Sequence, residues 1–172
     1  MRKIVLFIAS SLDGYIARSA GEIDWLFTDQ DYGYSEFFAS VDTLLIGRKT
    51  YEQILTFGEY PYPGVKNYVF TRNPLFQAEN PAEVIRTEDA TKFVTRLRQR
   101  EGKNIWLVGG AQLTEELMKQ NLVDRLILSI HPIVLGEGIP LFANPTTPQS
   151  LHLTQCQSFS SGLVQVSYEV VH

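Results

Sequence analysis

The sequence predicts a three-layer α/β domain with a mainly parallel central sheet and an antiparallel C-terminal hairpin. Three observations carry that prediction. Ile4–Ala9, Thr43–Gly47 and Ile105–Val108 are apolar on both faces, as strands buried between two helical layers are. Segments of helical period follow several such runs. The last two strand-like stretches alternate apolar and polar residues and are consecutive, as a hairpin requires. Strand–helix repeats closed by consecutive strands give this layered arrangement.

The elements follow in order. Ile4–Ala9 is the first strand. Ser10 to Asp31 carries two glycines and little periodicity, so it reads as a long loop, of the functional or mobile kind. Tyr34–Ser40 reads as the end of a short helix, and Thr43–Gly47 is the second strand. Arg48–Leu55 forms a short helix with Tyr51, Ile54 and Leu55 on one side. Thr56–Gly64 is a loop, marked by Gly58, Pro61, Pro63 and Gly64. Asn67–Thr71 and Glu83–Ile85 are the third and fourth strands. Thr87 suits the cap of a helix from about Asp89 to Arg100. Ile105–Val108 runs into Gly109-Gly110, then a helix covers Gln112–Lys119 and stops at Asn121. Arg125–His131 is the sixth strand, and Pro140–Pro148 is loop. Leu151–Gln157 and Val164–Val171 form the hairpin, turned at Ser160-Ser161-Gly162.

A chain of 172 residues fits one domain over 1–172. Its 44% apolar and 20% charged content is ordinary for globular proteins and excludes disorder or a coiled coil. The longest apolar run, Ile4–Ala9, falls far short of the roughly 20 residues that span a bilayer. Met1-Arg2-Lys3 precedes it, but no small-residue cleavage site follows, so a first strand is expected rather than a leader. The lone cysteine, Cys156, makes no internal disulfide and fits a cytoplasmic location. Net charge is −4 without a basic block, which argues against a nucleic-acid partner.

Ligands of open parallel sheets bind beyond the carboxyl ends of the strands. Three such ends suit phosphate. Gly109-Gly110-Ala111-Gln112 lets backbone approach an anion at a helix start, although a ligand-free turn fits it equally well. Gly47-Arg48-Lys49-Thr50 places cations and a hydroxyl in a first helical turn, where the helix dipole disfavours them unless an anion joins them. Solvated surface cations are the plainer account of that segment alone. Thr71-Arg72 adds another hydroxyl and a guanidinium fork. Together the three suggest a ligand with several phosphates, such as a dinucleotide. No nucleophile–base set is apparent, and His131, His152 and His172 read as structural. Asp13, Asp24, Asp29 and Asp31 lie in or beside the long loop, where one could relay a proton.

The ordered set Ile8–Ala17, Asp24-Trp25, Val41–Tyr51, Val108-Gly109-Gly110, Val123–Leu126 and Pro132–Phe142 resembles the dihydrofolate reductase superfamily. Specifically, it looks like the branch containing the reductase domain of bifunctional riboflavin-biosynthesis deaminase–reductases, here without a deaminase half. The resemblance spans nearly the whole chain. It implies a dihydrofolate-reductase-like fold and an NADPH site. Arg48, Lys49 and Thr50 would hold the 2′-phosphate and pyrophosphate, and Thr71 and Arg72 the adenosine side. Arg86 falls near a further basic position. Gly47 ends the strand before the first of these groups. Gly109 and Gly110 match the family's diglycine, with Ala111, Gln112 and Leu113 starting the helix that takes the pyrophosphate. Ala9, Ile16 and Ala17 match positions lining the nicotinamide. Folate-reducing members carry an acid a few residues after the tryptophan matched by Trp25. Here Gln30 stands five residues on, so Asp29 and Asp31 beside it are the candidate proton donors. The stretches Tyr34–Phe38 and Phe57–Pro61 depart from the riboflavin-branch pattern.

The expected activity is therefore NADPH-dependent reduction of a small planar heterocycle, a pterin or a pyrimidine like 5-amino-6-(5-phosphoribosylamino)uracil. The alternative is a non-catalytic NADP(H)-binding or regulatory module that has lost its proton donor. No metal site is expected. A homodimer is expected, because the hairpin and His131–Phe142 are apolar and edge-like, and the resemblance implies pairing there.

Overall fold

The long apolar runs become inner strands because one broad sheet gives each of them two faces to bury. In chain order the elements are β1 (Ile4–Ser11), β2 (Tyr15–Ala17), α1 (Tyr34–Ala39), β3 (Val41–Gly47), α2 (Arg48–Leu55), β4 (Lys66–Thr71), β5 (Glu83–Arg86), α3 (Ala90–Arg98), β6 (Asn104–Gly109), α4 (Ala111–Lys119), β7 (Arg125–His131), β8 (Ile139–Pro140), β9 (Leu151–Ser158) and β10 (Val164–Val170). This computed structural model describes residues 1–79, 82–86, 90–144 and 148–172. Eight strands form the main sheet in the order β5-β4-β3-β6-β1-β7-β10-β9. The pairs from β5 through β7 are parallel, and β10 is antiparallel to both of its neighbours. The fold is thus the three-layer arrangement expected, with its antiparallel hairpin.

Alternation along each inner strand sorts side chains between two cores. Ile4, Leu6, Leu45, Ile105 and Leu107 face one layer, packing with Val94 and Leu97 of α3 and Leu113 and Leu117 of α4. Val5, Leu44, Ile46 and Trp106 face the other, with Phe37 of α1 and Tyr51 and Ile54 of α2. Aromatics crowd this second face: Phe7 stacks on Phe37 at 4.3 Å, and Tyr62 meets Trp106 edge-on at 5.2 Å. Helix α4 stops where the sequence asks it to. Asn121 takes a left-handed φ of 52°. Its N–H reaches Met118 O and that of Leu122 reaches Leu117 O, the doubled closure that satisfies the last carbonyls.

Three expectations need correcting. The segment read as loop from Ser10 to Asp31 holds the end of β1 and all of β2. Strand β2 pairs antiparallel with β8, formed by Ile139–Pro140 inside or beside stretches read as loop. Gly138 permits this approach, since a Cβ there would lie 2.3 Å from Ala17 O. The second strand begins at Val41, earlier than its apolar run, because Val41 is buried under Phe37 and its neighbours. Thr87 and Asp89, expected to open the third helix, lie outside the described residues.

Candidate functional site

All six parallel strands end on the same edge of the sheet, and the chemistry-bearing residues gather there. Ile46 is in register with Gly109, and Gly47 with Phe70, so the ends of β3, β4 and β6 are neighbours. Helices α2 and α4 start directly from these ends, with extended N-cap glycines, Gly47 and Gly110, and no side-chain cap. Their first N–H groups are open to an acceptor. The two starts close on each other. A Cβ on Gly47 would stand 3.2 Å from Gly110 N, and one on Gly110 would stand 2.9 Å from Thr50 Oγ1. The Gly109–Gly110 peptide is cis, and Gly109 has φ 121°. Only glycine at these positions leaves the cradle between the helices open.

The cations line up on one side of this cradle. Arg48 is half-buried and its guanidinium meets Glu52 at 3.0 Å, one turn along α2. Lys49 and Arg72 are exposed. Thr71 is buried and its hydroxyl accepts from Asn73 N–H, turning the chain after β4. Arg86 donates to Pro74 O and Phe76 O, tying down the segment after Arg72. On the other side, Ile16 packs with Ile8 against the core, and Ala9 is half-buried near the end of β1. Gly109 lies against Ile8, since a Cβ there would be 3.8 Å from Ile8 Cδ1. Ala17 is buried. Ala111 is half-buried, Gln112 exposed and Leu113 buried in the core under the start of α4.

Across the sheet, a shallow depression of about 310 Å³ is lined by Leu26, Phe27, Thr28, Asp29 and Ser161. Asp29 therefore borders an open site, whereas Asp31 is committed elsewhere. Asp31 accepts from both the N–H and the hydroxyl of Ser35 and so fastens the first turn of α1. Asp29 accepts from the Tyr32 hydroxyl at 2.7 Å, and Ser161 supplies a proton to the Tyr32 oxygen at 2.8 Å. These donors hold the Asp29 carboxyl below its usual range, as Ser35 does for Asp31. Both are carboxylates at neutral pH, a state suited to accepting hydrogen bonds rather than giving a proton.

Several participants escape the sequence. Ser161 reaches the depression from the hairpin turn. Gln165 of β10 donates to Tyr32 O and Ser129 Oγ, tying the loop to the sheet. His131, buried at the end of β7, contacts both Trp25 and Phe27. The indole N–H of buried Trp25 has no hydrogen-bond partner among the described residues. Apart from the bond between Gln165 and Ser129, these contacts join residues more than a hundred positions apart, and no local pattern announces them.

Fold and site define an α/β protein whose glycine-lipped cleft opens at the carboxyl ends of parallel strands. The chain belongs to the RibD C-terminal domain family, which it matches over residues 2–165. It is 42% identical to YwjB of Bacillus subtilis over 172 residues, covering 97% of each. Among solved structures, a Shewanella protein assigned to riboflavin biosynthesis matches with a TM-score of 0.87 and 26% identity over 99% of both chains. Dihydrofolate reductase from Enterococcus faecalis, complexed with NADP(H), shares the fold at a TM-score of 0.76 and 17% identity, over 99% of this chain and 97% of that one. The resemblance carried by the motifs, to the riboflavin-branch reductases and the dihydrofolate reductase fold, holds.

Proposed function

We propose that this chain is an NADPH-dependent reductase of a small planar heterocycle, pterin- or pyrimidine-like, built as one module over residues 1–172 and working as a cytoplasmic homodimer. The observation that carries this reading is the meeting of two uncapped helix starts at Gly47, Thr50 and Gly110. That cradle, which a Cβ would fill, fits a pyrophosphate held by backbone N–H groups. Membership of a family that contains reductases of riboflavin biosynthesis supports it.

In this reading Thr50 and the Ala111–Leu113 turn hold the pyrophosphate. Arg48, Lys49 and Arg72 hold the 2′-phosphate and the adenosine end, with Thr71 shaping the turn beside them. Ala9, Ile16 and Ala17 lie along the nicotinamide. The cofactor supplies hydride when bound; the protein supplies orientation and exclusion of water. The heterocycle occupies the depression at Leu26–Asp29. There the Asp29 carboxylate accepts an N–H of the ring and fixes its orientation, and Asp31 shapes the same loop through Ser35. The proton that accompanies reduction comes from solvent. One observation favours a second reading: with both Asp29 and Asp31 held ionised, the chain would be an NADP(H)-binding module without turnover.

Titration of NADPH against the protein, followed by tryptophan fluorescence, tests the first step. NADPH oxidation with dihydropterins and aminouracils then separates the two readings. Failure to bind NADPH overturns both, and binding without NADPH oxidation in the presence of any ring selects the second.

A further inference from the structure

We propose that His131 is a positioning residue whose neutral ring clamps the Trp25–Asp29 segment in the shape that lines the depression. The inference rests on the reading of that depression as the substrate site only for its effect on catalysis.

The geometry is specific. His131 is the last residue of β7, opposite Ser11 of β1, and is 3% exposed. Its Nδ1 lies 3.0 Å from Ser129 O, so Nδ1 carries the proton. Nε2 is then a bare lone pair, and it accepts the Phe27 N–H at 3.2 Å. The ring also meets Trp25 at 5.2 Å and Phe27 at 5.0 Å, both edge-on. Residues 26–28 belong to no helix or strand. Beyond Phe27, the next tie is the bond from Tyr32 to Asp29. The imidazole thus fixes the start of the depression's wall, and the Tyr32–Ser161 chain fixes its end.

An imidazolium cannot serve. It carries N–H at both nitrogens, so Nε2–H would face Phe27 N–H, two donors without an acceptor. The groups packed around the ring add no compensating charge. They are Ser10 and Ser11 from β1, Ser129 from β7, and Trp25 and Phe27 from the loop. The acids on the two flanking segments are engaged elsewhere: Asp13 with Ser11 and the Leu135 and Gly136 N–H groups, Asp29 with Tyr32. Burial accordingly lowers the His131 pKa from the ordinary 6.5, while backbone hydrogen bonding at Ser129 and Ser10 opposes the shift. A lowered folded-state pKa means the clamp is whole at neutral pH. It opens as pH falls through that value.

The test compares wild type, His131→Ala and His131→Gln. Gln carries a carbonyl oxygen near the Nε2 position and does not titrate. Amide exchange by NMR, without cofactor or substrate, should show the Phe27 N–H exchanging ~10-fold faster in His131→Ala, as loss of one hydrogen bond requires, and protected in His131→Gln. In wild type, Phe27 should lose protection as the His131 ring resonances titrate. With turnover, KM for the ring should rise in acid for wild type, stay flat for His131→Gln, and be raised at every pH for His131→Ala, with NADPH affinity little changed. Unchanged Phe27 exchange in His131→Ala, or no change across the His131 titration in wild type, overturns the clamp. If His131→Ala does not fold, the wild-type titration decides. Because the exchange measurements need no NADPH, failure of the clamp is separable from failure of the reductase reading.

Discussion

Gln53 Nε2 of α2 donates to the backbone carbonyl of Gly21, joining helix α2 to a loop residue 32 positions earlier. The loop it catches is already folded on itself. Arg18 and Glu22 exchange a backbone bond of 2.9 Å, and the Arg18 guanidinium grips Asp24. Gln53 therefore holds a preformed flap, not a floppy segment, against the helix that starts at Arg48. Gln53→Ala removes one neutral hydrogen bond, about 0.5–1.5 kcal/mol. NADPH should dissociate roughly 2- to 13-fold faster while the fold is kept. Stopped-flow displacement measures this; an unchanged rate means that the flap does not gate the cofactor.

In the proposed reading, cofactor choice turns on Arg48. NADP(H) differs from NAD(H) by a 2′-phosphate, and a charge-assisted hydrogen bond to it contributes about 1.5–3 kcal/mol. Arg48→Ala should weaken NADPH binding roughly 10- to 150-fold and leave NADH nearly unaffected. The same guanidinium is shared with Glu52 at 3.0 Å. Glu52→Gln should free it and tighten NADPH about twofold, the scale of an exposed pair one helical turn apart. Titration of both cofactors at fixed salt reads these effects. Equal losses for NADPH and NADH in Arg48→Ala would remove Arg48 from the 2′-phosphate.

Gly110→Ala tests the shared part of the cofactor. Gly110 has φ −70°, which any residue adopts, so the cost is one of space. The new Cβ would stand 2.9 Å from Thr50 Oγ1, on a short side chain with little room to yield. Overpacking of this kind costs typically 1–3 kcal/mol. Both NADPH and NADH should lose affinity, by about tenfold or more. The double variant Gly110→Ala/Thr50→Ala should recover part of the lost melting temperature, because the clashing hydroxyl is gone. A shift in NADPH alone would place the pyrophosphate elsewhere.

These contrasts also explain what was legible in the sequence. Inner strands announce themselves because burial on both faces demands unbroken apolar runs, and Gly47 and Gly109-Gly110 are visible because they punctuate strand ends. Strands β2 and β8 are not. Tyr15–Ala17 and Ile139–Pro140 are too short for alternation, and their pairing depends on the space left at Gly138. Asp29 and Asp31 stand out as acids, but their charge state is set by Tyr32 and Ser35 and their places by the fold. His131 illustrates the limit most directly, since its partner at Phe27 lies 104 residues away.

Strand β9 is the edge at which the proposed homodimer would pair. All eight of its residues are exposed on both faces, with Leu151 and Leu153 at 41% and 50%. An edge strand with uncovered leucines and free backbone groups invites a partner. Light scattering should give twice the 19.5 kDa chain mass. Leu153→Lys, which places a charge on that edge, should return the monomer without lowering the far-UV signal. A mass of 19.5 kDa for wild type across micromolar concentrations would show that the edge stands alone.

Charge divides the two halves of the cleft, and this bears on the ring. Arg48 and Lys49 follow β3, Arg72 follows β4, and Arg86 ends β5. The loop and helix that include the depression's wall, residues 18–36, carry Glu22, Asp24, Asp29, Asp31 and Glu36 against Arg18, whose guanidinium is bound by Asp24 at 2.7 Å, and of these acids Asp29 lines the depression. A phosphate that approaches Asp29 meets like charge, about 1 kcal/mol at about 4 Å in water, or roughly 5-fold. A matched pair tests it: 5-amino-6-ribosylaminouracil with and without its 5′-phosphate, compared by kcat/KM for NADPH oxidation. The unphosphorylated member should be the better substrate at low salt. The gap should narrow as ionic strength rises, because the Debye length shrinks to about 8 Å near physiological salt. Asp29→Asn should raise the phosphorylated member's rate relative to the neutral one's. If the phosphorylated ring is preferred, the acidic loop does not face the substrate, and the phosphate must be held from the side of Arg48 and Arg72.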